Sequence, residues 1–180
     1  IMDYLRIPAV QKQLNLNEGE LDLCRIWLQQ ANIKWGLDTS HKQAIIGVDE
    51  IDPHYTWQWG LTRLALGCLQ SGKQADQPDY AYLVDVEGIN TRILGKLMVL
   101  IDLLGSFRHQ LLKTQSIEHW QVTLAGIIEQ LFGPKDKDNR VLASIYDAVS
   151  DLQKQLNKAQ FTADIELSLI RESLQDRFGM

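Results

Sequence analysis

A chain of 180 residues, 45% hydrophobic and 23% charged, holds enough apolar surface for a core of its own and is not disordered by composition. With 12 glycines and 4 prolines it is neither collagen-like nor low-complexity. Its 18 basic and 23 acidic residues leave a net charge of −5, which argues against a free-standing nucleic-acid binder, normally a basic domain.

Helical periodicity dominates, and Pro53, Pro78 and Pro134 fall between the periodic runs. Asn17, with Glu20 three residues on, forms a capping box that opens a helix with Leu21, Cys24, Leu28 and Ala31 on one face. Asp38 caps a short helix over 39–46. Thr56 caps a helix carrying Trp57, Leu61, Leu64, Ala65, Cys68 and Leu69, with Gly72 as its stop. Residues 73–88 are expected to be an irregular connector, with 80–86 extended. The strongest pattern runs from Asn90 to about Gln115, where Ile93, Leu97, Leu100, Leu104, Phe107 and Leu111 are spaced as in a bundle seam. Ser116 caps a helix bearing Trp120, Leu124, Ile127 and Leu131, which Gly133 and Pro134 end. After a charged linker over 135–138 comes a helix with Leu142, Ile145, Val149, Leu152 and Leu156. Thr162 is expected to cap a last helix with Leu167, Ile170 and Leu174. Long helices with single apolar stripes and short connections satisfy one another by packing, so the expected fold is an all-α helical bundle forming one domain over 1–180.

The local motifs do not specify an enzyme. Residues 67–74, Gly-Cys-Leu-Gln-Ser-Gly-Lys-Gln, satisfy most of the phosphate-loop pattern. That loop must open a helix and place a hydroxyl after its lysine; here Gln74 stands there and the glycines close a helix. Asp49, Glu50, Asp52 and His54 are acidic neighbours without the spacing of a calcium loop. Asp85 and Glu87 lack a partner acid for metal-assisted phosphodiester cleavage. The histidines, His41, His54, His109 and His119, show no zinc spacing, and no strand-turn-helix elbow surrounds a Ser or Cys. Accordingly no catalytic, metal-binding or cofactor-binding residue is assigned, and no cofactor is expected.

Cys24 and Cys68 lie in apolar helical patterns as small hydrophobes, which makes a disulfide scaffold unexpected. The longest apolar stretch, around 97–104, contains Asp102 and is far short of the roughly 20 residues of a membrane span. A cytoplasmic chain without membrane contact is expected, and its opening on Ile1-Met2 suits a piece of a longer protein. Trp35, Tyr55, Trp57 and Trp59, interleaved with Lys34 and Arg63, have the composition of a base-stacking surface, but Trp57 shares a face with Leu61 and Leu64, as a core residue does. Arg92 and Lys96 share a helix face, which suits a phosphate contact or simply a solvated surface.

Trp35-Gly36-Leu37-Asp38, then Thr56-Trp57, Gly60-Leu61, Arg63-Leu64 and Leu66-Gly67, resemble the W-G-L-D … T-W-x-x-G-L-x-R-L-x-L-G pattern of the exodeoxyribonuclease V gamma chain family, RecC. The resemblance begins at Leu5-Arg6-Ile7-Pro8-Ala9-Val10, continues through Val86-Glu87-Gly88 and Ser116-Ile117-Glu118-His119-Trp120, and reaches the last helix. It implies an internal fragment: a helical, 2B-like subdomain inserted in a helicase-like second motor domain. The parent complex would be an ATP-dependent helicase and exodeoxyribonuclease that unwinds DNA, recognises Chi and serves double-strand break repair by recombination. The implied partners are RecB-like and RecD-like subunits and DNA, met through the full-length subunit, with no small-molecule substrate. No activity is expected of the fragment, and the resemblance carries no Chi-reading or DNA-binding residue onto a position here. His41-Lys42 and the acidic Asp49-Glu50 loop depart from the family's more basic tendency and count against a DNA contact there. The alternative is a free-standing helical adaptor that binds protein without DNA.

Overall fold

Pro8 has no N–H to lose at the first position of a helix, and Gly133 ends one; between such signals most of the described residues are helical. The computed structural model describes residues 1–69, 90–133 and 140–179. Its helices are α1 (Met2–Leu5), α2 (Pro8–Leu14), α3 (Glu18–Gln30), α4 (Thr39–Ile46), α5 (Trp57–Leu69), α6 (Asn90–Leu111), α7 (Ile117–Phe132), α8 (Arg140–Lys158) and α9 (Leu167–Phe178). Among the described residues there is no strand, only an isolated antiparallel bridge between Gln115 and Ile165, and the fold is all-α. The expected connector over 73–88, the extended stretch over 80–86, the Gly72 stop and the charged linker over 135–138 lie outside the described residues.

The chain divides into two compact units: residues 1–6 with 14–105, and residues 7–13 with 106–180. The first is built on α3, α5 and most of α6. Along α3 and its C-cap the buried apolar positions are Leu21, Cys24, Trp27 and Ala31, at steps of three, three and four. The seam thus turns slightly from the expected one: the larger Trp27 is 2% exposed, while Leu28 packs half-buried at the margin. Leu61 and Leu64 of α5 and Ile93, Leu94, Leu97, Leu100 and Ile101 of α6 complete this core, with Leu5 of α1 entering it. Each such side chain contributes roughly 1.5–3 kcal/mol of burial. Trp57 is half-buried against the same cluster.

The second unit centres on Trp120, fully buried, with Ile117, Ile165 and Ile170 around it and Leu111, Leu124, Leu152, Leu156, Leu167 and Leu174 at its edge. The segment before α9 behaves differently from expectation. Thr162 does not cap the last helix, which begins at Leu167 after Glu166. Residues just before it stay extended because Ile165 exchanges both backbone hydrogen bonds with Gln115 and its carbonyl accepts the Trp120 indole N–H at 2.8 Å. A buried indole donor left unpaired would cost about 1–3 kcal/mol, more than the turn of helix forgone. The same bridge ends α6 at Leu111, short of Gln115.

Candidate functional site

Residues 31–63 gather the W-G-L-D and T-W-x-x-G-L-x-R-L residues into one corner of the first unit. Asp38 caps α4 through the His41 N–H at 2.7 Å, and the Leu37 N–H returns to His41 Nδ1 at 3.0 Å. Gly36 has φ +83°, and a Cβ there would stand 2.9 Å from Lys42 Cγ, so the turn admits only glycine at low cost. This lets the Gly36 and Leu37 carbonyls accept the Trp57 and Gln58 N–H groups, both at 2.9 Å. Thr56 Oγ1 accepts the Trp59 N–H at 3.2 Å and donates to the Pro53 carbonyl at 2.8 Å. Three of the four N–H groups that every helix leaves open at its start are thereby filled in α5, two by the distant Gly36-Leu37 turn and one by the adjacent Thr56.

The cations of this corner are committed to the fold. Lys42 is 6% exposed; its Nζ donates to the Asp52 and His54 carbonyls at 3.2 and 2.7 Å and lies 5.5 Å from the Trp35 ring centroid. Arg63 is 9% exposed, stacks 4.4 Å from the Trp59 ring and donates to the Ala31 carbonyl at the end of α3 at 3.2 Å. Burial lowers the pKa of its guanidinium, which remains charged. Gly60 makes room on α5 for Ile33, in the loop that follows α3: a Cβ there would lie 2.3 Å from Ile33 Cγ1.

At the surface of this corner, His54 and Tyr55 lean on Trp59, with ring centroids 5.2 and 5.6 Å away. Tyr55 and Trp35 keep 43% and 41% of their surface exposed. Trp35 is therefore a cover over Lys42. Tyr55 adopts φ +66°, a left-handed conformation costing roughly 1–2 kcal/mol for a side chain of this kind. Its carbonyl accepts the Lys34 N–H at 2.9 Å, which ties the strained residue to the W-G-L-D turn. Asp52 contacts the His54 ring, and the His54 N–H and ring hold its carboxyl below the ordinary 3.8.

The other candidates separate. Asp49, Glu50 and Asp52 stay on an exposed loop, where Gln43 holds the Asp49 carbonyl, and no group of three or more His, Cys, Asp or Glu among the described residues is arranged to hold a metal. His109 and His119 are exposed at the end of α6 and the start of α7. Gly67, Cys68 and Leu69 form the end of α5; the rest of the phosphate-loop match lies outside the described residues, as do Asp85 and Glu87. Burial pushes the Cys24 thiol up to about 11 and raises that of Cys68, so neither is an activated nucleophile. Among the described residues no helix is long and apolar enough to cross a membrane.

Arg92 and Lys96 do share a face of α6, and that face meets Glu20. Arg92 Nη2 donates to Glu20 Oε1 at 2.9 Å, Lys96 Nζ stands 3.8 Å from Oε2 and also bonds the Asn15 carbonyl. Glu20 simultaneously accepts the Asn17 N–H at 2.9 Å as the capping-box acid. The capping box was visible in the spacing of Asn17 and Glu20. Its junction with α6, 72 residues away, has no local pattern.

The sequence model of the family described as the RecBCD enzyme subunit RecC fourth domain matches residues 1–180. The RecBCD enzyme subunit RecC of Haemophilus influenzae is 24% identical over 172 residues, covering 96% of this chain and 15% of that protein. That of Escherichia coli K12 is 22% identical over 179 residues, covering 98% and 16%, and that of Mycobacterium tuberculosis H37Rv is 26% identical over 137 residues, covering 76% and 12%. The chain thus spans about a sixth of the length of the enterobacterial relative and less of the mycobacterial one. A match running through the W-G-L-D turn, the α5 start and the α6 to α9 segment to the last residue places the chain in a family: it belongs to that of the RecC fourth domain.

Proposed function

We propose that this chain is a non-catalytic helical domain of a RecC-type subunit, acting within a RecBCD-type helicase and nuclease that unwinds DNA, recognises Chi and supports double-strand break repair. The observation that carries the reading is the family match over residues 1–180. In this reading the domain is the helical, 2B-like insertion of the subunit's second motor-like domain, spanning 1–180, and its work is to hold shape and to meet RecB-like and RecD-like subunits in the cytoplasm. DNA is engaged through the full-length subunit. Consistent with a scaffold, the corner that carries the family's residues spends Asp38, Lys42, Thr56 and Arg63 on backbone groups of its own loops and helices.

The test has two arms. The 180-residue chain, given ATP, magnesium and linear duplex DNA, is expected to show neither hydrolysis nor cleavage. Deleting the domain from a full-length RecC-type subunit is expected to abolish co-purification with its RecB-type and RecD-type partners. Metal-dependent cleavage by the isolated chain, or full assembly without the domain, overturns the proposal. A second reading, a helical adaptor that binds protein and no DNA, is favoured by one observation: the net charge of −5 with Lys42, Arg63, Arg92 and Lys96 all engaged internally.

A further inference from the structure

The second unit contains a cleft of about 660 Å³ between α8 and α9. Its apolar lining comes from Leu152 and Leu156 of α8 and Leu169 of α9, with the polar Gln155 and Ser173 among them. The first two also back onto the Trp120 core, whereas Leu169 belongs to neither core and is 43% exposed. The rim is acidic, and its acids are in different states. Asp151 is neutralised from both sides, by Lys154 at 3.0 Å and by Arg177 across the cleft at 2.8 Å. Glu172 and Asp176 stand one turn apart on α9, both exposed and both lining the cleft, and among the described residues no ion pair reaches either. Like charges at this spacing oppose their own helix. An opening with three leucines in its lining and two carboxylates without ion-pair partners on one wall is complementary to apolar side chains flanked by cations.

The geometry points to a docking groove for an amphipathic helix of another polypeptide, carrying aliphatic anchors at three- and four-residue spacing with Lys or Arg beside them. A helix laid along α8 and α9 sets its apolar ridge into the groove that those two helices leave, the ordinary way helices pack. Its cations reach Glu172 and Asp176, while Arg177 stays with Asp151. The same carboxylates repel a phosphate backbone, which makes the occupant protein and not nucleic acid. The inference deepens the reading of the domain as a protein scaffold by naming one face and the chemistry of what it takes. It can fail while that reading stands, because subunit co-purification reports on the whole domain and the following titration on this groove alone.

The experiment titrates the 180-residue chain with a synthetic amidated peptide of about 18 residues, Leu recurring at helical spacing and Lys on the flanks, and follows leucine methyl signals by NMR. Saturable one-to-one binding that shifts Leu152, Leu156 and Leu169 is expected, and a scrambled peptide of the same composition should not bind. Glu172→Lys with Asp176→Lys should weaken binding at least about tenfold and restore it for a peptide with Glu in place of Lys, the mark of a direct charge contact. Asp49→Lys with Glu50→Lys makes the same change of net charge in the first unit and should leave binding as it was. Both double variants alter exposed residues, and thermal melting confirms that each folds. Equal weakening by the two double variants, binding of the scrambled peptide, or shifts confined to leucines outside the cleft would overturn the assignment.

Discussion

Gly60 is the residue that lets Ile33, in the loop after α3, pack against α5. The Cβ of an alanine there would stand 2.3 and 2.6 Å from Ile33 Cγ1 and Cδ1, distances no side chain tolerates, so α5 or Ile33 must move. Overpacking of this kind costs about 1–3 kcal/mol, and the loss of glycine's unfolded-state freedom returns less than that. Gly60→Ala is therefore expected to lower the denaturation midpoint. Ile33→Ala removes the opposing atoms, so in a double-mutant cycle the pair should be less destabilised than the sum of its singles. Additive singles would mean that Gly60 is there for a reason other than space. Gly36 depends on its backbone instead: its φ of +83° and the Lys42 stem beside it fix the turn whose carbonyls start α5. Both glycines belong to the pattern by which the sequence resembles the family, and the packing of this corner accounts for both.

At the scale of elements, the start of α3 shows how far a sequence pattern reaches. Asn17 and Glu20 form the reciprocal capping box that their spacing implies, but Glu20 also accepts Arg92 and faces Lys96 from α6. The Asn17 N–H first, with Lys96 and Arg92 adding to it, holds the Glu20 carboxyl below its ordinary 4.5 despite burial. A carboxyl depressed in the folded state contributes stability that is fully present above the unfolded value and is lost as pH falls through the folded one. Glu20→Gln keeps an acceptor for the capping box and removes only the charge. The gap in unfolding free energy between wild type and this variant should be constant near neutrality, shrink below about pH 4.5 and close in stronger acid; a gap unchanged to pH 2 would contradict the ion cluster. Elements with local causes were legible: the caps at Asn17, Asp38, Thr56 and Ser116, the end at Gly133 and the α6 seam all stand where composition and spacing put them. What escaped has distant causes. Thr162 has the chemistry of a cap, yet the Gln115–Ile165 bridge and the Trp120 indole hold its neighbourhood extended, and those partners lie about 45–50 residues away. The corner behind the family's residues was legible as a set of letters but not as a mechanism, because Lys42 bonding two carbonyls over 10 and 12 residues has no periodicity to betray it.

For the molecule as a whole, the question is what a charge of −5 permits. Counterion release makes nucleic-acid affinity depend on how many cations are free to meet phosphates, with log K falling by about 0.7 to 0.9 per phosphate for each tenfold rise in salt. The four cations of most interest are committed: Lys42 to carbonyls, Arg63 to a carbonyl and the Trp59 ring, Arg92 to Glu20, and Lys96 to Glu20 and the Asn15 carbonyl. Releasing any of them for DNA would break the contact it now makes, and the exposed acid Asp52 borders the aromatic group of His54, Tyr55 and Trp59. Fluorescence titration of the 180-residue chain with single-stranded and forked DNA should accordingly show little binding at low salt and a slope near zero on raising it. A slope of about −3 or steeper would mean that three or more phosphates are neutralised and that basic side chains leave their internal partners to do it. The contrast with the full-length subunit then becomes informative. If that subunit binds DNA with a steep slope that deletion of this domain leaves unchanged, the phosphate contacts lie in the rest of the protein, and the acidity of this segment is that of a part built to face other protein.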